Sequence, residues 1–591
     1  MLTLDQSKIF TSFLTFLYAL FFLAGNCLAV PLITRGPYLQ KATPGSIVVR
    51  WRTDTATDSV VRFGTTGLNQ EQTNSEVTTE HRVELNGLSA DTIYYYSIGS
   101  STELLLAGDP DLYFHTSPLA ASPYPARVWV VGDSGRGNDA QRSVLAGYLN
   151  YAARTKPAAL WLMLGDNAYF SGRDGEYQVG LFDIYQSVLR NTVLWPTLGN
   201  HDGLSASSAT LTGPYYEIFS LPRNAEAGGL ASGTEAYYSF DYAGIHFICL
   251  NSYDVDRAST APMARWLVAD LQASTAAKWR IAFWHHPPYS KGSHNSDTEI
   301  ELVEMRENIV PLLEDGGVDL VLAGHSHSYE RSFLIDGHYG NSTTLTSDML
   351  LNSGSGKVEE DATYLKPTAF AAHRGTVYVV AGTSSAADGG SLSHPIMYKS
   401  ASQLGSLVLD IDPTFLDGSF ITPEGNVFDT FRIEKSCPLE GPCPALPETT
   451  IFASSQKTDF GKSSGTIQSL NVVDKKSLRL QQVRVSKKNS AVVLIHRWNF
   501  QVPAGFGVSS LHFMASVESR DANLFRLEYS LDGVNFYTLG DISFTKDKSS
   551  TFDVAFPYQL QGDVTIRLST SPLQKPTKRR NEVRINYLAL Q

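Results

Sequence analysis

The middle of the chain, from about residue 124 to residue 435, alternates short apolar runs with stretches that have helical spacing. The runs are RVWVVGD, ALWLMLGD, TVLWPTLGNHD, GIHFICLNS, RIAFWHH and VDLVLAGH. Between them, AQRSVLAGYLNYAART and EIELVEMRENIVPLLED repeat apolar residues at the spacing of an amphipathic helix. Continuous Val, Ile and Leu runs are typical of strands that helices cover. The pattern therefore predicts a layered α/β domain over 124–435.

The regions on either side show β patterns. In 33–118, SIVVRWRT, SVVRFGTT and LSADTIYYYSIG are separated by turn signals. The tyrosine-rich run resembles the corresponding region of fibronectin type III domains, with Trp51 as a core residue. We therefore predict an N-terminal fibronectin type III-like β-sandwich. Strand patterns return in 450–591 and predict a C-terminal β-sandwich of jelly-roll or galactose-binding-like type.

The N-terminus resembles a secretory signal peptide. Lys8 precedes an apolar segment over 9–25, and Ala29 stands at a suitable cleavage point. We therefore expect residues 1–29 to be removed and the protein to be secreted, into the periplasm or the extracellular space. A membrane anchor is the alternative, because the apolar segment approaches the length of a short span. In such a compartment Cys437 and Cys443 could close a small loop, and whether they are bonded stays open.

Composition excludes several classes of protein. The chain has 591 residues, enough for several domains, with 42% hydrophobic and 18% charged residues, which is typical of globular protein. The net charge of -12 argues against nucleic-acid binding, which needs a basic surface to neutralise phosphates. No oligomeric state follows from these features.

Five apolar runs end in polar clusters: GDSG at 132–135, GDNAY at 165–169, GNHD at 199–202, HHPPY at 285–289 and GHSH at 324–327. Ligands collect beyond the carboxyl ends of strands, so we expect the clusters to meet at one edge. His325 and His327 lie two residues apart, a spacing that places both imidazoles on one side of an extended segment. Asp166 is the candidate for a carboxylate shared by two cations.

The order GDxG, GDxxY, GNHD, a strand-end His and GHxH resembles the purple acid phosphatases, within the calcineurin-like metallophosphoesterases. The resemblance covers about 35–435 and implies a central β-sandwich flanked by helices. Gly135 stands where the wider superfamily has a histidine, and Tyr169 is available as the replacement ligand. The resemblance implies a centre of Fe(III) and a divalent Zn, Fe or Mn ion. The ferric ligands would be Asp133, Asp166, Tyr169 and His327, and the divalent ligands Asp166, Asn200, His285 and His325.

The resemblance also implies a function, a secreted acid phosphatase that hydrolyses phosphate monoesters by attack of a metal-bound hydroxide. His201 would protonate the leaving group, and His294 would face the phosphate, although Asn295 stands where the family often has a second histidine. His286 could compete with His285 for the metal. Three further residues could orient ligands or make surface contacts, namely Asp202, Glu330 and Arg331.

Two alternatives stay open at this point. A phosphodiesterase or nucleotide hydrolase would use the same metal site. An extracellular protein that binds glycans or a cell surface would keep the phosphatase domain as an inactive scaffold. In the enzyme, too, the C-terminal domain could contact glycans or a cell surface.

Overall fold

The computed structural model describes residues 30–120, 125–360 and 362–437, together with separate strand segments between 451 and 590. The chain divides into two compact units, Met1–Cys443 and Pro444–Gln591. The predicted signal peptide over 1–29 and the residue Cys443 lie outside the described residues. No helix in the described part of the chain is long and apolar enough to cross a membrane.

The N-terminal region is an antiparallel β fold of six strands. The strands are Ile33–Gln40, Ser46–Gly64, Gln70–Asn86, Ile93–Gly99, Leu104–Leu106 and Tyr113–His115. The second strand is long because its first half pairs with the first strand and its second half with the fourth. Trp51 is buried and stacks on the ring of His81, with 4.7 Å between centroids. The predicted β-sandwich with Trp51 in its core is confirmed.

Two seven-stranded sheets form the central region. The first central sheet has the order Tyr364–Pro367, Val427–Cys437, Phe415–Ile421, Ser406–Ile411, Ala126–Val131, Leu160–Met163 and Val193–Pro196. The second central sheet has the order Tyr238–Tyr242, Ile245–Cys249, Trp279–Trp284, Leu320–Ala323, Val377–Ala381, Tyr329–Ser332 and Met397–Ala401. A two-stranded sheet joins Leu334–Ile335 to Leu350–Asn352.

The two central sheets share one core. A continuous cluster of buried side chains joins Val128 and Leu409 of the first sheet to Phe247, Ile281 and Leu322 of the second. Both faces of such strands are removed from water, which explains why the sequence shows unbroken apolar runs. The predicted β-sandwich with flanking helices is confirmed.

Helices cover the outer faces. The described α-helices are Asp139–Arg154, Asp174–Tyr177, Asp183–Leu189, Asn200–Gly203, Pro214–Ile218, Pro262–Ala273, Ile300–Glu304 and Val310–Asp315. Wider π-helical turns span Gln178–Phe182 and Met305–Ile309, and 3-10 turns span Ser342–Thr344, Ser347–Met349 and Val358–Glu360. On the second sheet, Leu267, Met305 and Leu313 pack with Trp284 and Val321 in a second buried cluster.

The longest helix shows why the sequence folds this way locally. Asn138 caps Asp139–Arg154, because its side-chain oxygen accepts a hydrogen bond of 2.9 Å from the backbone N–H of Gln141. Asp139 in the first turn and Arg154 in the last turn complement the helix dipole. The buried face includes Val144 and Tyr148, and the Tyr148 ring stacks on Trp129 of the first sheet.

The second unit is rich in strands. One sheet contains Lys462–Ser464, Leu478–Gln481, Glu582–Leu590, Val508–Val517 and Ser550–Leu560, with Ile451–Phe452 paired to Glu582–Leu590. The other contains Ser455–Phe460, Ile495–Val502, Gly562–Thr570, Asn523–Ser530 and Tyr537–Phe544. A short pair joins Val483–Arg484 to Val492–Val493. The expectation of a second β region is confirmed, and its jelly-roll or galactose-binding type stays a prediction.

Candidate metal centre

The predicted ligands lie just beyond strand ends of both central sheets. Asp133, Asp166 and Asn200 follow three neighbouring parallel strands of the first sheet. His285 and His325 follow two neighbouring parallel strands of the second sheet. The sequence predicted a single edge, but the structure uses one edge from each sheet. The difference arises because the two sheets pack face to face, so their strand ends lie together above the shared core.

Unusual backbone conformations place three of these residues. Asp133, Asp166 and His325 have φ of 55°, 53° and 64°, in the left-handed region that few non-glycine residues adopt. The adjoining loops are tied together, because the N–H of Gly324 donates to the carbonyl of His285 over 2.9 Å. The backbone thus turns each side chain away from its strand and towards the neighbouring loops.

His285, Asn200 and His325 form one donor group. Oδ1 of Asn200 lies 2.9 Å from Nε2 of His285 and 3.0 Å from Nδ1 of His325, and the two ring nitrogens lie 3.2 Å apart. Nδ1 of His285 lies 2.8 Å from the carbonyl of Leu164, which assigns the proton to Nδ1 and leaves the lone pair on Nε2. Burial lowers the pKa of His285 and lowers that of His325 to about 3, so both rings are neutral. Neutral imidazole is the form that binds metals.

Asp133, Tyr169 and His327 form a second donor group. The Tyr169 hydroxyl lies 3.2 Å from Oδ1 of Asp133 and 3.2 Å from Nε2 of His327. Nδ1 of His327 is hydrogen-bonded to the carboxylate of Asp388, so its Nε2 is free to face this group. Burial lowers the pKa of His327.

Asp166 joins the two groups. Its Oδ1 lies 3.4 Å from Nε2 of His285 and accepts a hydrogen bond of 2.9 Å from the backbone N–H of His201. Ligand atoms of Asp133, Asp166 and His285 all lie within 4.8 Å of one another. Burial, followed by the charge of Asp166, raises the pKa of Asp133 well above its usual value. Two buried carboxylates at this separation need positive charge between them.

Glycines permit this close approach. A Cβ atom at Gly165 would lie 2.5 Å from Nδ1 of His285, and one at Gly324 would lie 2.5 Å from Oδ2 of Asp133. A Cβ atom at Gly199 would collide with Asp166.

The two donor groups suit different ions. Oxygen donors dominate the group of Asp133 and Tyr169 and suit a harder ion, whereas the imidazole and amide donors of the other group suit a softer divalent ion. The donor set could therefore hold two cations, with Asp166 between the two groups.

The two predicted catalytic histidines border this centre. Nδ1 of His201 lies 2.7 Å from the carbonyl oxygen of Phe170, and its Nε2 lies 3.8 Å from Oδ2 of Asp166. Nδ1 of His294 lies 2.7 Å from Glu299, and its ring packs 3.7 Å from that of His325. Both side chains remain about one-third exposed, at 29% and 34%, so both are accessible to a substrate.

His286, the competing histidine, lies at the edge of the first donor group. Its Nδ1 lies 2.8 Å from the hydroxyl of Ser252, and its ring packs 4.3 Å from that of His325. A metal-compatible arrangement with His285 and His325 exists, but the Ser252 contact occupies one of its two nitrogens. His285 is the better placed of the two histidines to face an ion, because its Nε2 lies against both Asn200 and Asp166.

Asp202, Glu330 and Arg331 are buried and are not surface contacts. Asp202 accepts hydrogen bonds from the backbone N–H groups of Gly199 and Asn167, so it connects the GNHD and GDNAY clusters. Glu330 accepts from the N–H of Lys291 and thereby positions the segment after HHPPY. The guanidinium of Arg331 instead forms a buried ion pair with Asp429.

Sequence reasoning missed two supporting carboxylates. Glu299 lies 2.7 Å from Nδ1 of His294 and 3.4 Å from Nε2 of His325. It therefore contacts both the predicted phosphate-facing residue and a predicted metal ligand. Asp388 holds His327. A signal for Asp388 was present, because TVYVVAGT is another apolar run that ends in a polar loop. Glu299 carried no comparable signal, because it stands at the start of a helical pattern where acidic residues are common.

Comparisons with known proteins relate two parts of this chain to described families. Residues 126–329 match the calcineurin-like phosphoesterase family, and residues 37–116 match the purple acid phosphatase N-terminal domain. Purple acid phosphatase 23 of Arabidopsis thaliana is 31% identical over 272 residues, which cover 42% of this chain and 57% of that protein. Purple acid phosphatase 15 of the same plant is 29% identical over 279 residues, covering 43% of this chain and 49% of that protein.

A solved structure gives the same fold. The purple acid phosphatase PPD1 from yellow lupin (Lupinus luteus) seeds superimposes with a TM-score of 0.52 at 17% identity, covering 68% of this chain and 76% of that one. The chain spans about half the length of the curated relatives it matches. The domain boundaries at 33–118, 124–435 and 450–591 stay predictions. Residues 37–116 and 126–329 thus form a purple acid phosphatase N-terminal domain and a calcineurin-like phosphoesterase domain, and the resemblance to the purple acid phosphatases is confirmed.

Proposed function

We propose that the protein is a secreted acid phosphatase that hydrolyses phosphate monoesters at a centre of one ferric and one divalent Zn, Fe or Mn ion. One observation carries this proposal, the convergence of two donor groups on the shared carboxylate of Asp166. The ions, when bound, supply positive charge to the phosphate oxygens and lower the pKa of the attacking water.

The protein's own residues hold and orient the reactants. Asp133, Tyr169 and His327 would hold the ferric ion, and Asn200, His285 and His325 the divalent ion. The donor atoms of each set lie 2.9–3.2 Å from a partner in the same set, which supports ion binding without a large rearrangement. Preorganised donors of this kind reduce the cost of assembling the charged site.

His201 would move the proton. Its Nδ1 contacts the carbonyl oxygen of Phe170, which leaves Nε2 on the side of Asp166 and therefore beside the reacting phosphate. Nε2 would protonate the departing alkoxide as the ester bond breaks. His294, fixed by Glu299, would donate a hydrogen bond to a phosphate oxygen.

The test removes the shared carboxylate. Asp166→Asn should lower the metal content, because the shared carboxylate contributes to the binding of both ions. It should also lower the rate of phenyl phosphate hydrolysis by ~100-fold or more. The exposed Asp256 provides the matched control, and Asp256→Asn should leave metal content and rate unchanged. Full metal content and full activity in Asp166→Asn would reject the proposal.

A visible spectrum tests the ferric assignment separately. A phenolate on ferric iron absorbs visible light, so Tyr169→Phe should abolish the colour of the wild-type protein. Elemental analysis of the same samples identifies the divalent ion. A colourless wild-type protein that contains iron would contradict the role of Tyr169.

Two parts of this proposal rest on the sequence pattern. Export rests on the apolar segment over 9–25, and contact of the C-terminal unit with glycans or a cell surface rests on its β pattern and its position. Detection of the mature N-terminus after Ala29 in the extracellular fraction would support export. Retention on polysaccharide that is lost when residues 444–591 are removed would support the second idea.

A further inference from the structure

Arg136 follows the GDSG cluster and lies beside the candidate metal centre. Its guanidinium carbon lies 4.5 Å from the ring centroid of Tyr169 and 5.7 Å from that of Phe170. Within the described ranges, with their gaps at 121–124 and 361, the guanidinium has no hydrogen bond and no ion pair, and its Nε atom is buried. An unpaired guanidinium therefore stands next to a proposed metal ligand.

This arrangement differs from that of other arginines in the same unit. Arg35, Arg127 and Arg331 each form an ion pair with an aspartate over 3.0 Å or less. Stacking on aromatic rings is a weak interaction, and it leaves the in-plane N–H donors of Arg136 unused. The charge of Arg136 acts on the nearby carboxylate of Asp133, but that carboxylate accepts no hydrogen bond from the guanidinium. A partly buried cation without a hydrogen-bonded anion costs free energy, which an anionic ligand would recover.

The neighbouring surface is open to a substrate. Phe170 is 64% exposed, and its ring centroid lies 6.4 Å from that of His201. Arg136 and His201 therefore both lie near the exposed ring of Phe170, and we call these three residues the leaving-group rim. A leaving group that takes its proton from His201 would lie next to this rim.

We propose that Arg136 binds a second phosphate group carried by the leaving group, and that it thereby favours phosphoanhydrides such as nucleoside diphosphates or inorganic pyrophosphate over simple monoesters. This inference rests on the proposed function. In the reaction, water gives up one proton to the solvent as its oxygen bonds to the terminal phosphorus, and the bridging P–O bond breaks. The electron pair of that bond leaves on the second phosphate, whose charge the guanidinium offsets with a forked pair of hydrogen bonds.

The kinetic test compares AMP with ADP on the metal-loaded full chain. Arg136→Gln should lower kcat/KM for ADP about 10- to 100-fold, mainly through KM, because a hydrogen bond to a charged group is lost. The same variant should change kcat/KM for AMP by no more than about threefold. AMP has only one phosphate, so it makes no contact with Arg136 that the substitution could remove. Arg136→Lys should restore part of the ADP activity, since it keeps the charge without the fork.

Two controls separate this role from others. Arg142→Gln removes the same charge from an exposed position on the adjacent helix and should affect neither substrate. If Arg136 acted only through Tyr169, Arg136→Gln would shift the visible absorption and lower AMP and ADP hydrolysis by the same factor. That result would overturn the inference while the proposed function stands.

A binding measurement does not depend on turnover. In calorimetric titrations of the metal-loaded protein, Arg136→Gln should weaken methylenediphosphonate at least about tenfold and leave methylphosphonate unchanged. Equal affinities of wild type and variant for methylenediphosphonate would overturn the inference. Failure of the wild type to hydrolyse any phosphate ester would instead reject the proposed function, and the titration would still decide the role of Arg136.

Discussion

His246 is a buried histidine held between two carboxylates. Its Nδ1 lies 2.7 Å from Asp241, and its Nε2 lies 2.7 Å from Asp270. Burial opposes its protonation, but the hydrogen bonds to both aspartates raise its pKa to about 9 from an ordinary 6.5. The folded protein therefore binds this proton more tightly than the unfolded chain does.

Stability should consequently depend on pH through this residue. The contribution is complete below pH 6.5 and is lost as the pH rises towards 9, and it is on the order of 3 kcal/mol. Urea unfolding of the full chain at several pH values between 6 and 10 measures it. His246→Gln should be less stable at pH 6 and should lose less stability over that interval. Parallel curves for the two proteins would contradict the assignment.

Gly199 offers a test of site geometry at a single residue. A Cβ atom there would overlap the backbone and the carboxylate of Asp166. Gly199→Ala should therefore displace Asp166 and lower metal affinity at least about tenfold, a loss comparable to that of a ligand-orienting residue. Gly175→Ala is the control, since a Cβ atom at Gly175 meets nothing within 4 Å. Metal titrations that give the same affinity for both variants would show that the loop can shift.

At this scale the sequence selected side chains that the structure brings together, but it did not select the carboxylates that contact them. Spacing after strand ends was enough to select Asp133, Asp166 and His325. Glu299 and Asp388 contact the site across 26 and 61 residues of chain. The run TVYVVAGT pointed to the loop of Asp388, but no local pattern identifies the histidine that either carboxylate contacts. Contacts over such separations depend on how the sheets pack, which single-residue patterns do not encode.

Among the elements, the stretch EIELVEMRENIVPLLED shows what periodicity can and cannot predict. It reads as one amphipathic helix, and Leu302 and Leu313 are indeed buried. The structure divides it into two α-helical segments around the π-helical turn Met305–Ile309. Pro311 lacks a backbone N–H and so removes one hydrogen bond from a continuous ladder. The apolar spacing barely changes across such a turn, so the sequence does not reveal it.

The ion pair between Arg331 and Asp429 connects a strand of the second central sheet to a strand of the first. Nε of Arg331 lies 2.7 Å from Oδ2 of Asp429, and the side chains are 0% and 1% exposed. Asp429→Asn should lower the free energy of unfolding by about 3–5 kcal/mol, because it leaves a buried charge unpaired.

The matched control is the partly exposed pair of Arg432 and Asp417. Its Nε to Oδ1 distance is 2.6 Å, but the side chains are 25% and 32% exposed. Asp417→Asn should cost no more than about 1 kcal/mol in urea unfolding, because water screens the charges. Similar losses in the two variants would contradict the role assigned to burial.

For the whole molecule, composition and pattern predicted three β-containing regions in the observed order. Two central sheets were implied only by the family resemblance, and neither source predicted that the candidate ligands would be divided between the sheets. Strand pairing between Ala126–Val131 and Ser406–Ile411 joins segments almost three hundred residues apart. Such long-range pairing is set by tertiary packing and is therefore invisible to a window of sequence.

The division into two units predicts that the C-terminal unit is dispensable for chemistry. All predicted donors lie between Asp133 and His327, well inside the unit that ends at Cys443. A chain that ends at residue 443 should keep its metal content and should hydrolyse phenyl phosphate within about twofold of the full chain, because a domain with its own core folds alone. Soluble truncated protein without bound metal would contradict this independence.

The two central sheets each supply only part of the candidate metal centre. Asp133, Asp166 and Asn200 belong to loops of one layer, whereas His285 and His325 belong to loops of the other. Ions bound there would cross-link the layers, and ligand binding to the native state alone raises stability by mass action. Removal of the ions with a chelator should therefore lower the melting temperature, and add-back should restore it. In this protein, the supply of metal ions would govern how long the folded chain persists as well as how fast it hydrolyses its substrate.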